Sequence, residues 1–145
     1  MIQAYSLEQV DAAIQGYSRL AGPILRLGLG VTILLAGGHK LIAPAAWHAY
    51  LAPPLAAAWP TVAAPLDPVF VLFGISEVGF GVLLLADWHT PTIAGLTGLS
   101  LVGVVLNLAI GAAVGVQVID VLIRDLGLAA LAFGVALDAN SLSGS

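Results

Sequence analysis

Five polar side chains stand inside stretches that are otherwise apolar: Arg26, Lys40, Glu77, Asn107 and Arg124. An ionised group in hydrocarbon is costly unless it is paired or neutralised. Residues of this kind therefore mark either a network that fixes helix register or a pocket or proton path. The remaining residues exclude several other chemistries. There is no cysteine, which removes disulfides, thiolate metal sites and thiol redox chemistry carried by this chain. His39 and His89 fall near opposite membrane faces and His48 falls in a loop, so no two imidazoles face each other at one depth as a haem would require. No HxxxH or ExxH spacing offers a metal site. Neither a GxSxG motif, nor a phosphate-binding glycine loop, nor a carboxylate pair at catalytic spacing occurs. Catalytic residues and metal ligands are not expected.

The elements that must position these groups follow from hydropathy. Of the 145 residues, 60% are hydrophobic and only 8% charged, against about 25% charged in an ordinary soluble domain. That shortfall places the chain in a lipid bilayer, and the formal charge of -4 with few basic residues excludes a nucleic-acid-binding surface. The first apolar run begins only after residue 20, and Glu8 and Asp11 sit where a secretory signal would carry Lys or Arg, so the run reads as a retained span.

Residues 1–22 read as an amphipathic segment. Ser6 and Gln9 fit a capping box, and Val10, Ala13, Ile14, Tyr17 and Leu20 recur at helical spacing, which predicts a short helix lying on the membrane surface. Residues 23–138 read as a single domain with spans at about 23–42, 68–86, 92–114 and 118–137, each near the ~20 residues a bilayer crossing needs. Pro23 opens the first span after Gly22, and Thr90-Pro91 supplies an N-cap and a first-turn proline for the third. Residues 139–145 form a polar tail. The connection from Ile42 to Asp67 carries Pro44, Pro53, Pro54, Pro60 and Pro65 with Trp47, His48, Tyr50 and Trp59. It is expected to fold back on the membrane surface without crossing. The fold class is thus all-α: an up-down four-helix bundle in the cell membrane, preceded by an interfacial helix. An even number of crossings puts both termini on one side, taken as the cytoplasmic one, although Arg19 and Arg26 balance Lys40 and Arg124 across the membrane.

Each span sets its polar residue among its smallest ones. Arg26 and Lys40 share a face with Gly30 and Gly37. Glu77 lies between Gly74 and Gly81, and Asn107 stands in a ridge with Gly95, Leu99, Gly103 and Gly111. On the last span Asp120, Arg124, Gly127, Leu131, Gly134 and Asp138 follow one another at helical spacing. Small residues let helix backbones approach in membranes, so these stripes are expected to face the bundle interior with their polar members. Alternating directions put Lys40, Asn107 and Arg124 in the half away from the termini, Glu77 near the midplane and Arg26 in the opposite half. Glu77 can meet Lys40 from one side or Arg26 from the other; the sequence does not choose.

Three stretches together resemble the DoxX family of small four-helix membrane proteins. The first is Leu25-Arg26-Leu27-Gly28-Leu29-Gly30, closed by Ala36-Gly37-Gly38-His39-Lys40-Leu41. The others are Glu77-Val78-Gly79-Phe80-Gly81 and Arg124-Asp125-Leu126-Gly127-Leu128. The resemblance covers roughly residues 23–138. It implies a fold more than a reaction, since relatives are linked to quinone-coupled oxidation, to oxidative-stress complexes and, more distantly, to assembly of other membrane proteins. Three functions are therefore expected, the first two on an equal footing and the third behind them. The first is a non-catalytic subunit or assembly factor that holds a protein partner or a second copy of itself. The second is a quinone-associated component with a quinone or lipid near Glu77, Asn107 and Arg124. The third is a small-solute or proton pathway.

Overall fold

The computed structural model describes residues 7–59 and 65–143, with side chains through residue 139. Among the described residues every regular element is helical: α1 (Leu7–Gln15), a 3-10 turn at Ser18–Leu20, α2 (Ala21–Ile42), a 3-10 stretch at Pro44–Tyr50, α3 (Pro53–Ala58), α4 (Leu66–Leu85), α5 (Thr90–Ala113) and α6 (Ile119–Ser143). α1 holds Val10, Ala13 and Ile14 of the expected spacing but ends before Tyr17 and Leu20, and it buries none of its residues in the rest of the chain. Ser6, its expected cap, lies outside the described residues, as does part of the proline-rich connection, residues 60–64.

Residues 18–42, α4 and α5 are long and apolar enough to cross a membrane, with mean hydropathies of 1.7, 2.1 and 2.1. These three helices suit a multi-pass membrane protein. α6 has the length, at 25 residues, and carries Asp120, Arg124, Asp125 and Asp138; among the described residues it is not one of the candidate spans. It also continues to Ser143, where a polar tail from residue 139 was expected; Asn140 and its neighbours simply extend the last turns.

The turns that join the helices are written into the backbone. α5 ends in a Schellman motif: Gly115 takes φ +90°, its N–H donates to the Ala112 carbonyl, and Val116 N–H donates back to Gly111. α4 ends the same way with Asp87 in the left-handed position, at φ 55°, as Trp88 N–H reaches the Leu83 carbonyl and Asp87 N–H reaches Leu84. A short polar side chain such as Asp tolerates that region better than most non-glycine residues. His89, also left-handed, is the N-cap of α5, not Thr90 as expected. Thr90 is instead the first helical residue, and its buried hydroxyl donates to Asp87 at 2.6 Å.

α2 packs along α4 and α5 along α6, giving two antiparallel pairs. The α2–α4 seam is a backbone contact. A Cβ added at Gly37 would stand 2.7 Å from Val78 N, one at Gly81 2.7 Å from Leu34 N, and one at Gly74 2.9 Å from the Gly37 carbonyl. Gly30 lies against Leu84 and Leu85 in the same seam. In the half nearer the chain ends, Leu29, Ile33, Leu84, Ile93, Ala94, Leu101, Ala129, Ala132 and Val135 pack the two pairs into one core.

The other pair does not use the glycines that were expected to serve it. Gly103, Gly127 and Gly134 lie on open faces, and a Cβ added at any of them would meet nothing within 4 Å. α5 instead buries Ala94, Thr97, Gly98 and Leu101, with the Phe133 ring on Gly98, and α6 buries Asp125, Ala129, Ala132 and Val135. Both helices carry two rows of small residues. The alanine row accepts close packing as well as the glycine row does, and the Phe133 ring fills the notch that Gly98 leaves. Gly111 is buried, but against Ala52 of the connection, not against a helix.

Candidate functional site

In the half away from the chain ends the two helix pairs separate, leaving a cleft of about 770 Å³. That volume lies within the range of about 300–1,000 Å³ usual for small-molecule sites. Its deepest polar feature is an ion pair. Lys40 Nζ donates to both oxygens of Glu77, at 2.9 and 2.7 Å, and the two side chains are 9% and 12% exposed. Lys40 comes from the last turn of α2 and Glu77 from the middle of α4. The glycine seam brings the two backbones close enough for the lysine stem to reach back along α4. The ammonium also sits 3.6 Å from the centre of the Trp47 ring, a cation–π contact.

On the opposite wall α6 contributes a second pair, in which Arg124 Nε donates to Asp125 Oδ1 at 2.8 Å. Asp125 is buried, while the Arg124 side chain is 58% exposed and, among the described residues, engaged only through Nε. The four charges cancel, so the cleft holds a polar patch without net charge. Around it the walls are apolar, with Ile33, Phe70, Phe73, Leu101, Val104 and Leu128 among the lining residues.

The connection after α2 closes the end of the cleft. Trp47 Nε1 donates to His39 Nδ1 at 3.0 Å, which fixes the 3-10 stretch over the end of α2. His48 Nε2 lies 2.7 Å from Asp67 Oδ1. The principal tether is Asn107. Its Oδ1 accepts from Ala52 N–H at 2.9 Å and its Nδ2 donates to the Tyr50 carbonyl at 2.7 Å. One amide side chain thus pairs with an extended backbone as a neighbouring strand would. Ala52, 1% exposed, is drawn in against Gly111. The connection does not merely lie across the end of the bundle; at Ala52 it enters it.

Of the five residues singled out above, the fold gathers Lys40, Glu77, Asn107 and Arg124 around this cleft. Arg26 is elsewhere. It lies at the opposite end, where its Nη1 donates to the carbonyls of Leu84 at 2.5 Å and Leu85 at 3.3 Å, and its Nε lies 3.5 Å from Asp87. It satisfies the last carbonyls of α4, the favourable place for a cation on a helix. Glu77 therefore pairs with Lys40. Asp125, Trp47 and Tyr50 were not expected as part of the site. Asp125 could have been found from its spacing, since it precedes Ala129 and Ala132 on one face. The two aromatic residues carry no such signal, because only the fold of the connection brings them over the cleft.

No family model matches the chain, and neither the curated proteins nor the solved structures contain a significant match.

Proposed function

We propose that this protein crosses the cell membrane four times and holds a neutral, lipid-soluble molecule with carbonyl acceptors, of the quinone class, in the cleft between its two helix pairs. The observation that carries this is a charge-balanced polar patch at the base of an otherwise apolar cleft. An anionic phospholipid head would add uncompensated negative charge beside Glu77 and Asp125. A quinone adds only acceptors, and the terminal nitrogens of Arg124 are the donors that suit them. Because Lys40 and Glu77 satisfy one another, the site reads as one that binds, so the chain acts as a non-catalytic component beside a partner that carries the electrons. The DoxX-like motifs at Arg26, Lys40, Glu77 and Arg124 fit this reading.

The fourth crossing is α6. Three of its charges lie in its first two turns, and its apolar remainder packs along α5. With four crossings both termini share a side, assigned to the cytoplasm. Single cysteines at Ser18 and Ser143 would then label from one face of an oriented membrane and one at Gln117 from the other; labelling of Gln117 and Ser143 from the same face removes this topology.

The binding reading is tested by purification in mild detergent and extraction. Quinone should be retained by the native protein and reduced in Arg124→Gln, whose side chain is partly exposed and contributes little to the core. If no quinone is retained and added quinone does not quench the tryptophan fluorescence, the reading fails. A second reading, a scaffold or assembly subunit, is favoured by the open glycine row at Gly127 and Gly134 on α6, and predicts a stoichiometric protein partner or homo-oligomer in the same preparation without quinone.

A further inference from the structure

The cleft is closed at its end but open at its sides. The connection held by Asn107 covers one end, while exposed lining residues open the cleft on two sides, Phe73 and Leu99 between α4 and α5 and Leu35 and Arg124 between α2 and α6. The two mouths differ in chemistry. Between α2 and α6 the lining includes Thr32 and the Arg124 cation together with the exposed Leu35. Between α4 and α5 the lining carries no charge toward the opening: α4 contributes Val69 and Phe73 and α5 contributes Leu99 and Gly103, with the Ser100 hydroxyl beside them. Phe73 is 49% and Leu99 65% exposed, although both also line the cleft. Gly103 keeps this rim low, since a Cβ there would meet nothing within 4 Å.

From this we infer that the ligand enters laterally from the bilayer between α4 and α5 and leaves a long apolar tail lying in that mouth over Gly103. The inference rests on the quinone-class reading and narrows it to tailed molecules. A compact head needs no apolar mouth and would gain nothing from one, whereas each methylene of a tail removed from water adds about 0.8 kcal/mol. In a membrane that gain is replaced by closer packing on Phe73 and Leu99, so the seam selects by fit. The glycine is the specificity determinant, because any side chain at position 103 would stand where the tail passes.

The test compares two benzoquinones with the same head, one with a ten-carbon tail and one with a methyl group. They are titrated against the purified protein in nanodiscs of neutral lipid, with quenching of Trp47 and Trp59, which line the cleft, as the readout. With both concentrations expressed per volume of lipid, so that partitioning into the bilayer is removed, the native protein should bind the tailed compound at least about tenfold more tightly than the short one. Gly103→Phe should lower affinity for the tailed compound by about tenfold and leave the short one within about twofold. Gly95→Phe adds the same bulk to the same helix outside the cleft, where it also meets nothing within 4 Å, and should change neither. Native affinity for the tailed compound in Gly103→Phe, with an unchanged melting curve, overturns the lateral seat while leaving the head site standing. Equal affinity of the native protein for both compounds overturns it too. If neither compound quenches the native protein, the quinone-class reading itself fails and this inference with it.

Discussion

Replacing Glu77 with Ala leaves the Lys40 ammonium in a cleft where its side chain is only 9% exposed, with the Trp47 ring as its remaining neighbour. Both Glu77 oxygens accept from that one nitrogen, at 2.9 and 2.7 Å, so the substitution removes two charge-assisted hydrogen bonds at once. Breaking a buried pair from one side costs about 3–5 kcal/mol, while removing both partners can be nearly neutral. Glu77→Ala and Lys40→Met should therefore each destabilise the protein by about 3 kcal/mol or more, and the double variant should recover most of that loss. Glu77→Gln should lie between, because an amide still accepts one hydrogen bond from Lys40. The assay is reversible denaturation in mixed micelles, analysed as a double-mutant cycle. Arg26→Met supplies the control. Its guanidinium is committed to Leu84, Leu85 and Asp87 at the other end, so its effect should add to that of Glu77→Ala within about 0.5 kcal/mol. Additive behaviour of the Glu77 and Lys40 variants, or coupling of Glu77 to Arg26, would refute the pairing and the orientation of α4 with it.

The α2–α4 seam predicts a sharp contrast among glycines. Gly37→Ala and Gly81→Ala should each lower stability by about 1–3 kcal/mol because the new Cβ meets backbone atoms at 2.7 Å, while Gly79→Ala, facing open space, should be neutral or stabilise by up to about 1 kcal/mol in the same melts. Asn107→Ala should leave the Ala52 N–H and Tyr50 carbonyl unpaired, at about 1–3 kcal/mol each, and hydrogen exchange across residues 44–59 should rise while α2 and α4 stay protected. Arg26→Met should cost about 1.5–3 kcal/mol through the lost carbonyl contacts, with Arg26→Lys milder, measured by thermal melting.

Hydropathy by itself determines the helices, because a backbone in hydrocarbon has no partner but itself and long apolar runs must close their hydrogen bonds internally. The same argument locates the polar residues that need partners, and the spacing of Gly30, Gly37, Gly74 and Gly81 marks a face along which two backbones can touch. What the sequence leaves open is which of several compatible faces is used. On α5 the rows through Gly98 and through Gly103 are equally small, and on α6 the alanine row competes with the glycine row. The choice falls to shape, here the Phe133 ring seated on Gly98. Glu77 could meet either of two cations by register, and the tertiary structure decided for Lys40, with Arg26 engaged instead by the Leu84 and Leu85 carbonyls at the end of α4. The cleft is likewise invisible in one dimension. It exists because the core packs only one half of the bundle, and because an asparagine on α5 captures the backbone of a proline-rich connection that lies 55 residues earlier in the chain.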